Sequence, residues 1–342
     1  MTRRERVLRA IQHEPSPFPP YFVDFTPQLR SMLDSSAAYS DYYSNLDLQV
    51  SGYNYCGNTS STEFKDIYRD DFGVLWDRSG VDKEVGLIHE PVIKDFSLNG
   101  YTFPRFNDIL FSEQLRTVQH YRDDRFFLAG IGYSLFERAW SLCSLEKILL
   151  GMIVEKNFIH TLFSKICEFN LNMLDIILEF DVDAVYFGDD WGRPEGLIMG
   201  KRNWNTFIKP HLARMYNKVK RKNKLIIQHS CGNITEILPD LIKMGVDCYH
   251  SFSPDVYNIE KMKSLYGDDI CFWGGISTQK LLTSTKNESI IEDLNHSVRV
   301  LNRNGGLILS TSNALTNEYP ISNVATLLRY LEENDTLKEE EF

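Results

Sequence analysis

From residue 126 to residue 333, short apolar runs alternate with amphipathic segments of helical length. In the longer segments apolar residues recur at three-to-four spacing, the pattern of a helix with one buried face. A regular strand-then-helix order predicts a parallel sheet with right-handed crossovers, because parallel neighbours need a long connection. The apolar runs are FFLAGIG, DAVYFGD, KLIIQHS, VDCYHSF, ICFWGG and GLILSTS.

These six strands, with a seventh predicted from YFVDF at 21–25, favour a closed eight-stranded (β/α)8 TIM-type barrel over an open sheet. The sequence does not assign the eighth strand. A length of 342 residues suits one barrel domain over residues 1–342. The stretch 35–120 is rich in Tyr, Ser, Asp and Gly, and it predicts an irregular insertion after the first strand that covers the barrel mouth.

Composition and charge disfavour several classes of partner. The chain has 37 Lys+Arg against 47 Asp+Glu, a net charge of -10, and no long basic run, so nucleic acid and anionic membranes are poor partners. We find no apolar run of transmembrane length and no signal-peptide pattern, and we expect a cytoplasmic protein. The six cysteines are scattered without framework spacing, which predicts free thiols.

In a parallel barrel the catalytic groups lie at the carboxyl ends of the strands. The predicted strands each end in polar or aromatic residues, and their shared position at one rim indicates a functional site. The candidates at or just beyond the strand ends are Tyr133, Glu137, Asp189, Asp190, Trp191, His229, Cys231, His250, Trp273 and Asn313.

His229 and Cys231 are two residues apart at the end of LIIQ, so both side chains can point to one face. Imidazole nitrogen and thiolate sulfur are preferred zinc ligands, and Gly232 allows a sharp turn after them. The alternative is a hydrogen-bonded core histidine beside an inert buried cysteine. The spacing alone leaves both readings open.

The neighbouring acids of GDDWG allow a similar choice. Asp189 and Asp190 can act as metal ligand and general base, or they can cap the following helix. Glu137 and His250 are candidate catalytic groups that can equally serve to orient their neighbours. Aromatic residues at the rim are candidate pocket walls, whereas Cys248 and Cys271 lie inside apolar strands and are expected in the core. The predicted pocket walls are Tyr133, Trp191 and Trp273.

Several segments together resemble the uroporphyrinogen decarboxylase superfamily, most closely its corrinoid-dependent methyltransferase branch. They are TRRERVLRAIQHE, DDFGVLW, GDDWGRPEGLIMG, FIKPHLARMYNKVK, HSCGNI, YGDDICFWGGISTQ and GGLILSTSNALTNEYPISNV, and they run over nearly the whole chain in order. The resemblance implies an eight-stranded barrel.

The resemblance also implies a zinc site. Methyltransferases of this superfamily use a His-x-Cys pair and a later cysteine or histidine, and His229 and Cys231 match the pair. The later ligand position falls on Asn313, whose uncharged amide is a weaker zinc ligand. True decarboxylases carry an arginine-rich stretch after the first strand, but YFVDFTPQLRSML has only Arg30, so tetrapyrrole decarboxylation is disfavoured.

The resulting hypothesis is zinc-assisted methyl transfer between a small methylated molecule, or a thiol, and the cobalt of a corrinoid on a partner protein. Two alternatives stay open: decarboxylation of a tetrapyrrole, and a non-catalytic homologue that has lost the metal. Metal content distinguishes them. Relatives with this barrel are often dimers, so the resemblance also makes a homodimer an expectation.

Overall fold

The computed structural model describes residues 1–34, 50–80 and 86–335, with the backbone alone for residues 50–54. Its main element is one sheet of seven parallel strands, in which β1 lies at one edge and β13 at the other. The strands of the chain, with those of two smaller sheets, are β1 (Val50–Tyr55), β2 (Thr59–Ser61), β3 (Ile67–Asp70), β4 (Leu75–Asp77), β5 (Leu87–Glu90), β6 (Phe126–Ile131), β7 (Ala184–Gly188), β8 (Gly192–Arg193), β9 (Gly196–Leu197), β10 (Leu225–His229), β11 (Cys248–Phe252), β12 (Cys271–Ile276) and β13 (Leu307–Thr311).

The main sheet has the order β1-β6-β7-β10-β11-β12-β13, and all its pairings are parallel. The six strands predicted after residue 125 are confirmed as β6, β7 and β10 to β13. The fold is therefore α/β with a curled parallel sheet, consistent with a TIM-type barrel. Beyond β13, Tyr21 and Phe25 form single parallel bridges with Leu309 and Leu315, where the sequence predicted a continuous strand.

β1 lies inside the stretch 35–120, which the sequence predicted to be an irregular insertion. Its residues VSGYNY pair with β6 from Val50↔Phe126 to Tyr55↔Ile131, so this part of the stretch belongs to the main sheet. The pattern was not visible because Ser51, Gly52 and Asn54 interrupt the apolar run. Residues 35–49 and 81–85, also within that stretch, lie outside the described residues.

Helices connect the parallel strands and cover the outside of the sheet. The helical segment between β9 and β10 is interrupted by a π-helical turn at Trp204–Ile208. Pro210 follows this turn and has no N–H, so the regular i to i−4 hydrogen bond cannot form there. The α-helices are α1 (Arg3–Ile11), α2 (Pro27–Asp34), α3 (Asp108–Tyr121), α4 (Phe136–Cys143), α5 (Leu145–Val154), α6 (Lys156–Ile177), α7 (Gly200–Asn203), α8 (Lys209–Lys220), α9 (Leu238–Lys243), α10 (Ile259–Tyr266), α11 (Thr278–Thr283), α12 (Asn287–Leu301) and α13 (Ile321–Asn334).

Alternate residues of the parallel strands pack into two separate apolar clusters. The larger cluster lies between the sheet and its helices and includes Phe127, Val185 and Ile226. The smaller cluster lies on the opposite, inner face, and α1 contributes Val7, Ala10 and Ile11 to it. The inner cluster takes one residue or more from each of the six strands β6, β7 and β10 to β13, namely Phe126, Leu128, Ala184, Ile227, Cys248, Cys271, Trp273 and Ile308.

All six cysteines are free thiols, as predicted, and Cys248 and Cys271 are fully buried in the inner cluster. Within the described residues, no helix is long and apolar enough to cross a membrane.

A buried ion pair attaches the small antiparallel sheet β2–β5 to the main sheet. Arg138 of α4 lies 2.7 Å from a carboxylate oxygen of Asp70, and both side chains are only 2% exposed. The guanidinium also donates to the carbonyl of Cys56 at 2.8 Å and lies 4.0 Å from the ring centroid of Phe72. Since both charges are removed from water, each depends on the other for compensation.

Replacing Arg138 by Gln will destabilise the protein by about 3–5 kcal/mol, because the Asp70 carboxylate is then buried without its cation. The free energy of unfolding in urea measures this loss. Arg9→Gln is the control: its partner Glu14 and Arg9 itself are 48% and 46% exposed, and the expected change is below about 1 kcal/mol. Equal effects of the two substitutions would contradict the structural role given to the Arg138 pair.

Candidate metal and substrate site

The inner face of the sheet changes from apolar to polar towards the carboxyl ends of the strands. Side chains two residues apart in a strand lie on the same face. In four strands an apolar inner residue is therefore followed, two residues later, by a polar or ionisable side chain on the same face. Ala184 is followed by Tyr186, Ile227 by His229, Cys248 by His250, and Ile308 by Ser310. The strand register aligns β10 with β11 at His229↔His250 and β11 with β12 at His250↔Trp273.

Three side chains converge at the ends of β7 and β10. Ligand atoms of Asp190, His229 and Cys231 all lie within 4.8 Å of one another. The His229 Nε2 atom is 3.2 Å from Asp190 Oδ1 and 3.6 Å from the Cys231 Sγ atom. The predicted His-x-Cys pair is thus brought together, and Asp190 joins it from the neighbouring strand.

The same ring nitrogen of His229 faces both the carboxylate and the thiol. A Cys-His-Asp relay needs the acid on one imidazole nitrogen and the nucleophile on the other, so this arrangement does not form a relay. Three donors around one point suit a metal ion. Tetrahedral zinc with ordinary bond lengths would place N and O about 3.3 Å apart and N and S about 3.5 Å apart, close to the separations found here.

The loop after β10 is held against the loop after β7 by a close backbone approach. Gly232 has a φ of 72°, in the left-handed region that favours glycine. A Cβ atom at Gly232 would lie 2.2 Å from the carbonyl carbon of Gly192. The Cys231 N–H donates to Asp190 Oδ1 at 2.8 Å in the same place. The sharp turn predicted at Gly232 is therefore present, and it brings the ligand-bearing loops together.

Asp189 and Asp190 are neighbours in sequence but serve different surroundings. Asp189 is fully buried and accepts hydrogen bonds from the backbone N–H groups of Phe136 and Glu137 and from the Trp191 indole. Burial raises the pKa of Asp189 to about 6, although these donors favour its charged form. Asp189 therefore anchors the first turn of α4 and does not face the ligand cluster. The helix it holds precedes Asp189 in the chain, whereas the capping alternative drawn from the sequence concerned the helix that follows.

The charges of the cluster are strongly coupled. Burial disfavours the charged form of His229, but hydrogen bonds with Asp190 and Cys231 raise its pKa to about 10. Burial likewise opposes ionisation of Asp190, yet contacts with His229 and the Cys231 N–H lower its pKa. The polypeptide thus favours a negative carboxylate beside a positive imidazolium, and a cation that replaced the imidazolium proton would meet the same compensating charge.

His250 lies behind His229 on the adjacent strand. The two Nδ1 atoms are 2.7 Å apart, and the hydroxyl of Tyr186 is 3.3 Å from His250 Nδ1. Burial and the nearby charge of His229 hold the pKa of His250 well below its usual value. His250 is therefore neutral and can accept a hydrogen bond from His229, which fixes the orientation of that ring.

Glu137 lies at the start of α4, next to the acids. Burial and the charges of Asp190 and Asp189 raise its pKa to about 8.

Tyr133 does not line the cavity described below; it packs on Trp76 of the small sheet with ring centroids 5.6 Å apart. Trp191 also differs from its prediction as a pocket wall, because it is fully buried against Trp204 at 5.8 Å.

A cavity of about 310 Å³ opens beside the ligand cluster. Trp273 lines it, and so does Asn313, whose amide oxygen is 3.9 Å from the Cys231 Sγ atom. The sequence did not predict three further residues that line the cavity: Phe22, Asp24 and Tyr186. The sequence signal for Phe22 and Asp24 was the alternation of side-chain faces, because they interleave with the buried Tyr21, Val23 and Phe25. Tyr186 lies two residues before the end of β7, on the inner face of the sheet.

Comparison with known proteins gives a family and a fold. A family profile described as uroporphyrinogen decarboxylase (URO-D) matches residues 87–334. No curated protein matches the chain. A methyltransferase from Methanosarcina mazei is similar in structure, with a TM-score of 0.72, 17% identity, and 97% of this chain and 99% of that chain covered. A candidate vitamin-B12-independent methionine synthase from Listeria monocytogenes has a TM-score of 0.48, 10% identity, and coverage of 94% and 97%.

The two adjacent acids are expected to respond differently to substitution. Asp189→Asn replaces one of the two acceptor oxygens that together serve three buried donors, and it will lower the free energy of unfolding by about 1–3 kcal/mol. Asp190→Asn, at a partly exposed position, will change it by less than about 1 kcal/mol but will weaken zinc binding. Urea unfolding and zinc titration of both variants measure the difference. The reverse pattern would contradict the assignment of Asp189 to α4 and of Asp190 to the ligand cluster.

Proposed function

The chain belongs to the uroporphyrinogen decarboxylase family, and from this membership and its ligand cluster we propose that it is a zinc-dependent methyltransferase. It moves a methyl group between a small methylated molecule, or a thiol, and the cobalt of a corrinoid on a partner protein. The observation that carries the proposal is the convergence of Asp190, His229 and Cys231 beside the cavity. The Methanosarcina mazei protein of the same fold is itself named a methyltransferase.

The donor set suits zinc in kind as well as in spacing. Nitrogen, sulfur and carboxylate oxygen are its usual ligands, and a catalytic site has three protein ligands with one further position. When bound, the ion acts as a Lewis acid that makes the methyl donor a better leaving group or holds an acceptor thiol as thiolate. Asn313 lies near Cys231, at the position where the resemblance expects a stronger ligand.

The remaining residues hold the site in shape. His250 accepts from His229 and fixes its ring, and Asp189 anchors the helix that carries Glu137. Glu137 is placed to position substrate from the side of α4. Trp273 lines the cavity next to His250, with ring centroids 5.1 Å apart, and limits the access of water to the reacting group.

The alternative of tetrapyrrole decarboxylation has less support. Such a substrate carries several carboxylates, and they require cations. The described residues that line the cavity include no Lys or Arg. Arg30, the only cation of the stretch 21–33, lies on the exposed surface of α2 and does not line the cavity. The non-catalytic alternative rests on Asn313 alone, and metal content decides it.

The proposal extends to architecture and setting. Residues 1–342 form one domain whose sheet closes into an eight-stranded barrel, with the segment around 21–25 between β13 and β1. The small antiparallel sheet, held beside Glu137 by the Arg138–Asp70 pair, covers the barrel mouth and provides the docking surface for the corrinoid protein. The protein acts in the cytoplasm, and a homodimer is a further expectation.

Purified protein is expected to bind one zinc ion per chain. Cys231→Ser and His229→Ala will each weaken zinc binding by roughly 100-fold, since each removes a direct ligand. Asn313→Cys will tighten it, because a thiolate replaces a neutral amide near the cluster. Competition with a chromogenic chelator measures the affinities, and Cys271→Ser, which alters a distant buried thiol, is the control. A wild-type protein that neither carries nor takes up zinc would contradict the proposal.

Methyl transfer is tested with the zinc-loaded protein, a corrinoid protein in the Co(I) state and a panel of methylated compounds. Formation of the methylated corrinoid, followed by its visible absorbance, is the expected result with at least one donor. His229→Ala is expected to lose at least about 100-fold in rate, by loss of the metal. Equal rates for wild type and His229→Ala would place the chemistry elsewhere in the protein.

A further inference from the structure

The cavity beside the ligand cluster has an acidic lining residue and no basic one among the described residues, if histidine is left aside. Among the described residues that line it, Asp24 is the only Asp or Glu, and none is a Lys or an Arg. A ligand in this cavity therefore lies in the field of one negative carboxylate.

Asp24 is placed to interact with a ligand. It lies in the exposed position between the buried Val23 and Phe25, opposite the end of β13. One carboxylate oxygen accepts the Phe25 N–H at 2.8 Å. The other oxygen makes no hydrogen bond with the described residues, so it can accept one from a ligand or lie against a positive charge.

Aromatic rings form a continuous wall beside this carboxylate. Phe22 meets Trp273 edge-to-face with centroids 5.7 Å apart, Trp273 lies 5.1 Å from His250, and His250 lies 5.9 Å from Tyr186. The faces of aromatic rings carry negative electrostatic potential and attract cations, and quaternary ammonium groups are typically bound by such rings together with a carboxylate.

The hydroxyl groups of the lining add acceptors and few donors. Ser310 donates its hydroxyl hydrogen to the carbonyl of Thr311, and Thr311 donates to the carbonyl of Asn313, both at 2.8 Å. Their hydrogens are thus engaged within the protein, and lone pairs remain. An anionic ligand would find few partners in these groups.

We propose that the cavity beside Asp24, Phe22 and Trp273 binds a small N-methylated ammonium cation. The inference rests on the proposed function, for which it names the class of the methyl donor. A volume of about 310 Å³ suits a molecule of a few heavy atoms beyond the methylated nitrogen. A donor bearing a carboxylate would be repelled by Asp24 and would meet no Lys or Arg among the described lining residues. A neutral methyl ether would gain nothing from the Asp24 carboxylate.

The test compares a cation with its neutral isostere. Choline and 3,3-dimethylbutan-1-ol have the same shape and differ in charge, and calorimetric titration of each into the full-length protein measures the difference. Choline is expected to bind at least about ten-fold more tightly. Asp24→Asn will weaken choline binding by roughly ten-fold and leave the isostere unchanged. Asp108→Asn is the control, because Asp108 is also exposed and accepts the next N–H in the chain.

Equal binding of choline and its isostere, or an Asp24→Asn variant that binds choline like wild type, would overturn the inference. A carboxylate ligand such as benzoate that displaces choline from Asp24 more strongly than tetramethylammonium does would also overturn it. The titrations are run with and without zinc and in the absence of corrinoid, so cation binding is scored separately from metal binding and methyl transfer. Methyl transfer from neutral donors alone would support the proposed function while removing this inference.

Discussion

The buried carboxylate of Asp189 is the constraint around which the candidate site is assembled. A charge in the protein interior must be compensated, and three N–H donors from α4 and Trp191 surround this one. Those bonds fix the first turn of α4 against the end of β7. Glu137 and Arg138 lie on that turn. The position of Asp189 therefore also sets the position of Glu137 beside the cluster and of the Arg138–Asp70 ion pair that holds the small sheet.

Asp190 follows in the chain and faces the other way. Strand alternation makes this division unavoidable, since adjacent residues at a strand end cannot share a face. The Asp189 carboxylate points towards the helices and accepts hydrogen bonds from α4. The Asp190 carboxylate contacts His229 and Cys231. The close packing of Gly192 on Gly232 brings the two loops near enough for this contact. One dipeptide thus links the stability of the fold to the chemistry of the site.

The same alternation explains how the inner face divides along its length. Towards the amino ends of the strands the inner face is apolar and covered by α1. Towards the carboxyl ends it carries His229, His250, Tyr186 and Trp273. The candidate metal ligand His229 and the cavity walls are therefore neighbours by register. Histidine pairing across β10 and β11 orients a ligand, while the ring of Trp273 borders the cavity. The same strands form the apolar core and position the side chains of the candidate site.

The sequence by itself determined the alternation of strands and helices after residue 125, the parallel sheet and the position of His229 and Cys231 at one strand end, because periodicity and turn residues are local properties. It also indicated that Cys248 and Cys271 are core residues. The tertiary structure decided which acid joins the cluster, that Trp191 is buried, and that Asp24 and Phe22 border the same cavity as Trp273. It also revealed β1, whose polar residues concealed a strand. These depend on register and on contacts between residues far apart in the chain, such as Cys231 and Asn313, which no local pattern encodes.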